Sequence, residues 1–131
     1  EDEAAFSRLC DFVEEIQFDR MGAFAYSPED DTPAAQMPNA VPEEVKAERL
    51  DRLMRIQQRI ALARNALRVG QIARVLCEGE QSGRFVGRSK LEAPEGDGKI
   101  LFTAGRPVAP GEFVSMRLTR ALPYDLEGEC V

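Results

Sequence analysis

The apolar pattern of this chain changes its period near Gly70, and this change constrains the fold more than any other feature. Before Gly70 apolar residues recur every three or four positions, as in helices, and after it they alternate, as in half-buried strands. Glycine- and proline-rich turns divide the second part into five candidate strands, at 71–78, 84–89, 99–103, 112–121 and 125–131. These short strands predict a small antiparallel OB-like barrel, because closure removes the exposed edges of a small sheet.

The part before Gly70 has the pattern of a helix, a strand and a long helix. Residues 3–16 carry apolar side chains at helical spacing. Residues 18–26 are mostly apolar or small, which predicts a buried strand of a parallel, helix-covered sheet. Residues 27–42 have the pattern of a loop, and residues 42–68 predict a helix long enough to bridge two packing units or to bend. One helix and one strand cannot close such a sheet, so we expect its other strands elsewhere in a longer protein.

Composition limits the chemistry that these residues can carry alone. The chain has no His, and its three Cys, at 10, 77 and 130, are too far apart for a local zinc or iron–sulfur site. Each Cys is expected to be a small buried hydrophobe, and the sparse count suits a reducing compartment such as the cytoplasm. No apolar run approaches the ~20 residues of a membrane span. The chain starts at Glu1 without a signal segment, which predicts part of a longer protein or a processed product.

The net charge of −6 is unevenly distributed along the chain. Residues 1–45 have two basic and twelve acidic side chains, residues 46–68 have seven basic and two acidic, and residues 69–131 have eight basic and nine acidic. The arginines of the long helix could contact phosphate, but pairing with the neighbouring acidic segment is the favoured interpretation. The last segment lacks the basic excess of a dedicated nucleic-acid binder.

Two features of the strand-rich part are candidate binding elements. The loop GRSKLEAPEGDG (87–98) is either a plain hairpin connection or an exposed loop that offers Arg88, Glu95 and Asp97 to a charged partner, and the two interpretations are evenly balanced. Phe113 and Tyr124 are expected in the barrel core or at its rim. Aromatic residues here would stack on bases only if basic residues surround them.

Four segments together resemble the C-terminal third of RimO-type methylthiotransferases, which are radical S-adenosylmethionine enzymes with a TRAM domain. They are FDRMGAFAYSPEDDTPAA (18–35), VPEEVKAERLDRLMRIQQ (41–58), GRSKLEAPEGDG (87–98) and PGEFVSMRLTRALPYDLEGE (110–129). The resemblance implies an α+β chain: residues 1–68 would be the end of a radical-SAM α/β barrel with a connecting helix, and residues 69–131 a TRAM barrel.

The resemblance also implies an activity for the intact protein. Such enzymes use S-adenosylmethionine and two iron–sulfur clusters to place a methylthio group on the β-carbon of an aspartate in a small-subunit ribosomal protein. The cysteine motif that holds the radical-SAM cluster is absent here, so we expect no catalytic residue in this segment and no activity from it alone. The expected partner is the ribosomal protein, with weak RNA binding at most, in a cytoplasmic monomer without membrane contact.

The resemblance and the sequence pattern together give candidate binding residues. Phe24, Ala25 and Tyr26 match the last barrel strand near the adenine of the cofactor and are candidate cofactor-pocket residues. The candidate substrate-docking residues are Arg88, Glu95, Asp97, Arg117, Tyr124 and Asp125. A near-neutral barrel suits a basic protein partner better than bare RNA.

Two other functions remain open at the level of the sequence. The first is the transfer-RNA-modifying branch of the same architecture, which a cluster of Arg84, Arg88, Arg117 and Arg120 on one barrel face would support. The second is a non-enzymatic OB-like binding module.

Overall fold

The structure, a computed structural model, describes residues 1–38, 40–94 and 98–131. The chain divides into two compact units, residues 1–60 and 61–131. The helices are α1 (Glu3–Ile16), a short 3-10 turn (Ala34–Gln36) and α2 (Glu43–Ala66), and the strands are β1 (Ile72–Gln81), β2 (Arg84–Arg88), β3 (Ile100–Thr103), β4 (Phe113–Ala121) and β5 (Leu126–Cys130). The predicted α+β class and the five strands are confirmed. The predicted boundary between residues 68 and 69 stays a prediction. No helix of the described residues is long and apolar enough to cross a membrane.

The first unit is held together by α1 and the first part of α2. The Asp2 side chain caps α1 by accepting a hydrogen bond from the Ala5 N–H at 2.7 Å, and Gln17 ends the helix in a left-handed conformation. The buried face of α1 packs against α2 through Phe6, Val13, Leu53 and Ile60. This apolar contact fixes the two helices, since each fully buried large apolar side chain contributes about 1.5–3 kcal/mol.

Acids of α1 pair with arginines of α2 around that apolar contact. Arg52 lies 2.9 Å from Glu3, and Arg59 lies 3.0 Å from Glu14. Arg49 lies 3.4 Å from both Glu1 and Glu3. The favoured interpretation of the arginine stripe, pairing within the chain, is therefore confirmed for these three arginines.

The strand predicted for residues 18–26 does not form. All nine residues are described, and none lies in a strand. Apolar content suggested the strand, but a strand also needs a second backbone to bind, and this segment binds side chains of α2 instead. The Gln57 amide donates to the Phe18 carbonyl at 2.7 Å, and the Lys46 ammonium donates to the Tyr26 carbonyl at 3.1 Å. Side chains of α2 thus hold both ends of an irregular segment.

The second unit is a closed barrel with the strand order β1-β2-β3-β5-β4. Four neighbouring pairs are antiparallel, as predicted, but β3 and β5 are parallel, with Ile100 opposite Leu126. Register shifts between Cys77 and Gly79 in β1 and between Leu118 and Arg120 in β4 mark bulges. Bulges increase local bending and twist, which helps a five-stranded sheet to close.

One apolar core fills the barrel. Its buried members come from β1, β3, β4, β5 and the loop before β4: Val75, Cys77, Ile100, Phe102, Val108, Val114, Met116, Leu118 and Leu126. Phe102 at the centre stacks on Phe85 of β2, with ring centroids 5.4 Å apart. The outer faces of the strands are left to polar, charged and half-exposed side chains, and these determine what the barrel can bind.

Candidate functional site

A buried ion pair fastens the loop after β2 to the segment that follows α2. Glu92 is 3% exposed, and its carboxylate accepts hydrogen bonds from the Arg68 guanidinium and from the Ser89 backbone N–H, the latter at 2.9 Å. The Ser89 hydroxyl donates to the same carboxylate at 2.5 Å, and Arg68 donates to that hydroxyl at 3.1 Å. The Glu92 carboxylate thus accepts from the Arg68 side chain and from both the hydroxyl and the backbone N–H of Ser89.

These contacts keep Glu92 ionised inside the unit. Burial raises the pKa of the Glu92 carboxyl, but the hydrogen bonds and charge of Arg68 and the hydrogen bonds from Ser89 outweigh burial, so the net pKa is lower than its usual value. The sequence interpretation missed Glu92 because it treated 87–98 as one surface loop. The spacing Ser-x-x-Glu at 89–92 is a signal that could have found it, because a serine and a glutamate three residues apart often bind each other's backbone.

The loop residues that were predicted to dock a substrate have different outcomes. Arg88 is half-buried, and its Nε lies 3.3 Å from the Glu78 carboxylate on β1. Glu95 and Asp97 lie outside the described residues.

A groove of about 500 Å³ lies beside the β1–β2 turn and brings two predicted docking residues together. Its lining is Gln81, Ser82, Arg84, Gly98, Lys99, Leu101, Tyr124 and Asp125. The Asp125 carboxylate accepts from the Lys99 backbone N–H at 2.8 Å, which fixes one wall. Tyr124 is 46% exposed and offers an aromatic surface. Neither Arg88 nor Arg117 is among the lining residues.

Phe113 lies on the outside of the barrel, where core and rim positions were both expected. Its side chain is 54% exposed, and the Arg74 guanidinium lies 4.3 Å from its ring centroid. Arg117, farther along the same strand, is exposed and donates to the Gly70 carbonyl at 3.4 Å. The structure therefore separates Arg117 from the groove that contains Tyr124 and Asp125.

A cavity of about 680 Å³ in the first unit includes the three predicted cofactor residues. Phe24, Ala25 and Tyr26 are all exposed, and Phe24 is 96% exposed. Other apolar side chains complete the lining, while Lys46 and Arg49 of α2 bring positive charge. Among the residues that the structure describes, no group of three His, Cys, Asp or Glu side chains could hold a metal ion.

The sequence is similar to known proteins over both units. A family model for the TRAM domain matches residues 69–131. Relatives from Desulforamulus reducens, Roseiflexus sp. and Caldicellulosiruptor saccharolyticus, each named ribosomal protein uS12 methylthiotransferase RimO, are 46%, 48% and 42% identical over 98%, 100% and 100% of this chain. The chain corresponds to the C-terminal part of RimO-type methylthiotransferases. It spans about 30% of the length of those relatives.

The family implies S-adenosylmethionine and iron–sulfur clusters in the intact RimO-type protein. The cavity of the first unit fits the first of these, because its volume falls in the ~300–1,000 Å³ range of small-molecule sites and its walls are mainly apolar with a few charged groups. Phe24 and Tyr26 offer rings for an adenine, and Lys46 and Arg49 offer cations for a carboxylate. The three cysteines are scattered at 10, 77 and 130 and are free, so they do not form a cluster site of their own.

Proposed function

We propose that this chain is the C-terminal part of an enzyme that places a methylthio group on the β-carbon of an aspartate in a small-subunit ribosomal protein. The observation that carries the proposal is that the identity to uS12 methylthiotransferases extends over 96–100% of the chain, and so includes both units. A TRAM barrel shared with an otherwise unrelated protein would give similarity in residues 69–131 alone. Catalysis then depends on the rest of the polypeptide, and we expect the present residues to be inactive alone and the enzyme to work in the cytoplasm.

The barrel has the role of substrate docking in this proposal, and the groove with Tyr124 and Asp125 is its centre. An aromatic side chain supplies contact area at low entropic cost, and the Asp125 carboxylate, held by the Lys99 N–H, supplies a fixed negative group. Arg88 and Arg117 would contribute from outside the groove. A mixed polar and apolar groove of this kind suits a protein loop.

The cavity of the first unit has the role of a cofactor pocket. Phe24, Ala25 and Tyr26 would contact the adenosine part of S-adenosylmethionine, which supplies the radical and methyl chemistry when bound. Lys46 already donates to the Tyr26 carbonyl at 3.1 Å and lies 5.5 Å from the Tyr26 ring, so α2 positions this wall of the pocket.

The transfer-RNA alternative predicts a cluster of cationic arginines on one barrel face. Arg84 and Arg120 both lie within 4.0 Å of the Glu127 carboxylate, and Arg88 lies 3.3 Å from Glu78. Three of the four arginines are thus paired with carboxylates, which lowers their attraction for phosphate. This pairing supports the protein substrate over transfer RNA.

The proposal is tested with the intact enzyme that contains these residues and with purified ribosomal protein uS12. Mass spectrometry should find one methylthio group added to an aspartate of uS12, and none added to bulk transfer RNA. Addition to transfer RNA but not to uS12 would refute the proposal.

The docking role has its own test in the same enzyme. Tyr124→Ala should raise KM for uS12 severalfold and leave kcat nearly unchanged, because the groove binds substrate without touching the reacting atoms. Arg55→Ala is the matched control, since Arg55 is an exposed side chain of α2 that pairs only with Asp51 at 2.9 Å in the described residues. An unchanged KM for the Tyr124 variant would remove the groove from the docking surface.

A further inference from the structure

The outer face of β1 and β4 carries a patch that the proposed function does not use as a unit. Ile72 lies opposite Arg117, and Arg74 and Phe113 lie two and four residues from these positions along the same strands. Because alternate residues of a strand share a face, all four side chains point to the same side of the strand pair. We call Ile72, Arg74, Phe113 and Arg117 the β1–β4 patch.

The patch combines exposed apolar surface with exposed positive charge. Ile72 and Phe113 are each 54% exposed, and the guanidinium of Arg74 lies over the Phe113 ring. Exposed aromatic and arginine side chains are enriched where proteins bind one another. The contact between Arg74 and Phe113 also holds both side chains in place. Less side-chain conformational entropy is therefore lost when a partner binds.

The two arginines of the patch differ from the other arginines of the barrel in their partners. Arg84, Arg88, Arg106 and Arg120 each lie within 4.0 Å of a carboxylate oxygen. Within residues 1–38, 40–94 and 98–131, neither Arg74 nor Arg117 forms such an ion pair. Glu129 lies opposite Arg117 on β5 and marks the acidic border of the patch. The two barrel arginines that lack a carboxylate partner in the described residues therefore both belong to the β1–β4 patch, where Glu129 is the cross-strand neighbour of Arg117.

We propose that the β1–β4 patch binds a segment of another protein that presents two carboxylates beside an apolar side chain. The carboxylates would pair with Arg74 and Arg117, and the apolar side chain would cover Phe113 and Ile72. Recognition must occur through side chains, because β1 and β4 are bonded to neighbours on both sides in a closed barrel and offer no free edge to an added strand. The inference does not depend on the identity of the enzyme's substrate.

The charges of the patch and of its surroundings favour an acidic peptide over a nucleic acid as the ligand. Two phosphate contacts to single-stranded RNA give a salt slope of only about −1.4, which is small beside that of dedicated binders. Residues 69–131 also carry one more acidic than basic residue, so the surroundings of the patch do not attract a polyanion. A short acidic and apolar peptide needs only the two cations and the apolar surface that the patch supplies.

The test is a titration of the isotopically labelled 131-residue chain, observed by NMR, with the blocked peptide Glu-Leu-Asp-Leu-Glu. Its neutral counterpart, Gln-Leu-Asn-Leu-Gln, and a ten-nucleotide oligouridine are the comparison probes. We expect amide shifts concentrated at residues 72–76 and 113–117, and an affinity that falls as salt rises from 50 to 300 mM. The neutral peptide should bind at least about fivefold more weakly, because it lacks the charges that pair with the arginines.

Variants assign the binding to particular side chains. Arg74→Gln and Arg117→Gln should each weaken the acidic peptide about two- to fivefold, and Phe113→Ala should weaken it about tenfold. Arg120→Gln removes the same charge from an arginine that already has a carboxylate partner, and should leave affinity unchanged. The dispersed spectrum of each variant checks that it is folded.

Several outcomes would overturn the proposal. These are no saturable binding of the acidic peptide at millimolar concentration, equal affinity for the neutral peptide, shifts confined to the groove of Tyr124 and Asp125, and tighter binding of oligouridine. Methylthiotransfer to uS12 is measured separately, so failure of this inference and failure of the proposed function are distinguishable.

Discussion

Removal of Arg68 should destabilise the second unit because it leaves the buried Glu92 carboxylate without its cationic partner. The Glu92 side chain is 1% exposed and the Arg68 side chain 13% exposed, so Arg68→Ala leaves a carboxylate with little access to water. Breaking a buried pair by removing one partner costs about 3–5 kcal/mol. Some water can enter where Arg68 was, and we therefore expect the lower end, about 3 kcal/mol, in the free energy of unfolding.

The loss should depend on pH in a defined direction. In the native protein the pKa of Glu92 lies below its usual value of 4.5, so the ionised carboxylate contributes stability above that value, and this contribution is lost as the pH falls through the folded pKa. In Arg68→Ala burial still raises the pKa of the carboxyl while the hydrogen bond and charge of Arg68 are lost, so the carboxyl protonates at a higher pH than in the native protein. The deficit of the variant should thus be largest at pH 7 and should shrink as the pH falls toward 4.

Urea denaturation followed by circular dichroism measures these differences. Hydrogen exchange of peptides covering Ile100–Thr103 and Leu126–Cys130 assigns the loss to the barrel. The double variant Arg68→Ala/Glu92→Gln should be more stable at pH 7 than Arg68→Ala, since no charge then remains buried. Arg84→Ala, which breaks a partly exposed pair with Glu127, is the control and should cost about 1 kcal/mol or less. A deficit below 1 kcal/mol, or one equal at pH 7 and pH 4, would refute the reasoning.

Three further predictions concern single positions. Gly98→Ala drives a Cβ into the Tyr124 carbonyl oxygen and should cost about 1–3 kcal/mol in urea denaturation. Gly105→Ala, whose Cβ would have nothing within 4 Å, should change stability by about 0.5 kcal/mol at most. Asn65 is 1% exposed, and its side-chain amide donates to the Leu122 carbonyl at 3.1 Å. Asn65→Ala removes this buried hydrogen bond and should lower the free energy of unfolding by about 1–3 kcal/mol. An unchanged midpoint of thermal unfolding would contradict the importance of this bond. Burial raises the pKa of the Cys130 thiol, so its alkylation by iodoacetamide at pH 8 should be slower than that of a free cysteine peptide and should accelerate at higher pH; a rate equal to that of the peptide would contradict it.

The strands could be predicted from the sequence because their signals are local. Alternating side chains and turn residues such as Gly83 and Gly111, both at positive φ, place each strand to within a few residues. The parallel pairing of β3 with β5 has no such signal, because it joins Ile100 to Leu126 across the whole of β4. The strand predicted for residues 18–26 failed for a related reason. Its side chains suit a strand, but a strand also needs a neighbouring backbone to pair with, and the segment's own sequence cannot show whether one is present.

The binding elements were less predictable, because charge in a sequence does not reveal its partner. Glu92 looks like any other loop acid until Arg68, 24 residues earlier, is placed beside it. Phe113 looks like a core residue until the register places it on the outer face next to Arg74. Tyr124 and Asp125 are adjacent in the chain and line one groove, whereas Arg117 is not among the residues that line it.

The contacts of Asn65 and Arg68 determine where the barrel can be cut when it is transferred to another protein. A TRAM module cut at residue 69 and grafted onto another protein would leave the Glu92 carboxylate without Arg68 and the Leu122 carbonyl without the Asn65 amide. The smallest transplantable piece therefore begins near Ala61 and includes the last turns of α2. An engineer who exchanges such barrels between enzymes should move the end of the helix together with the strands.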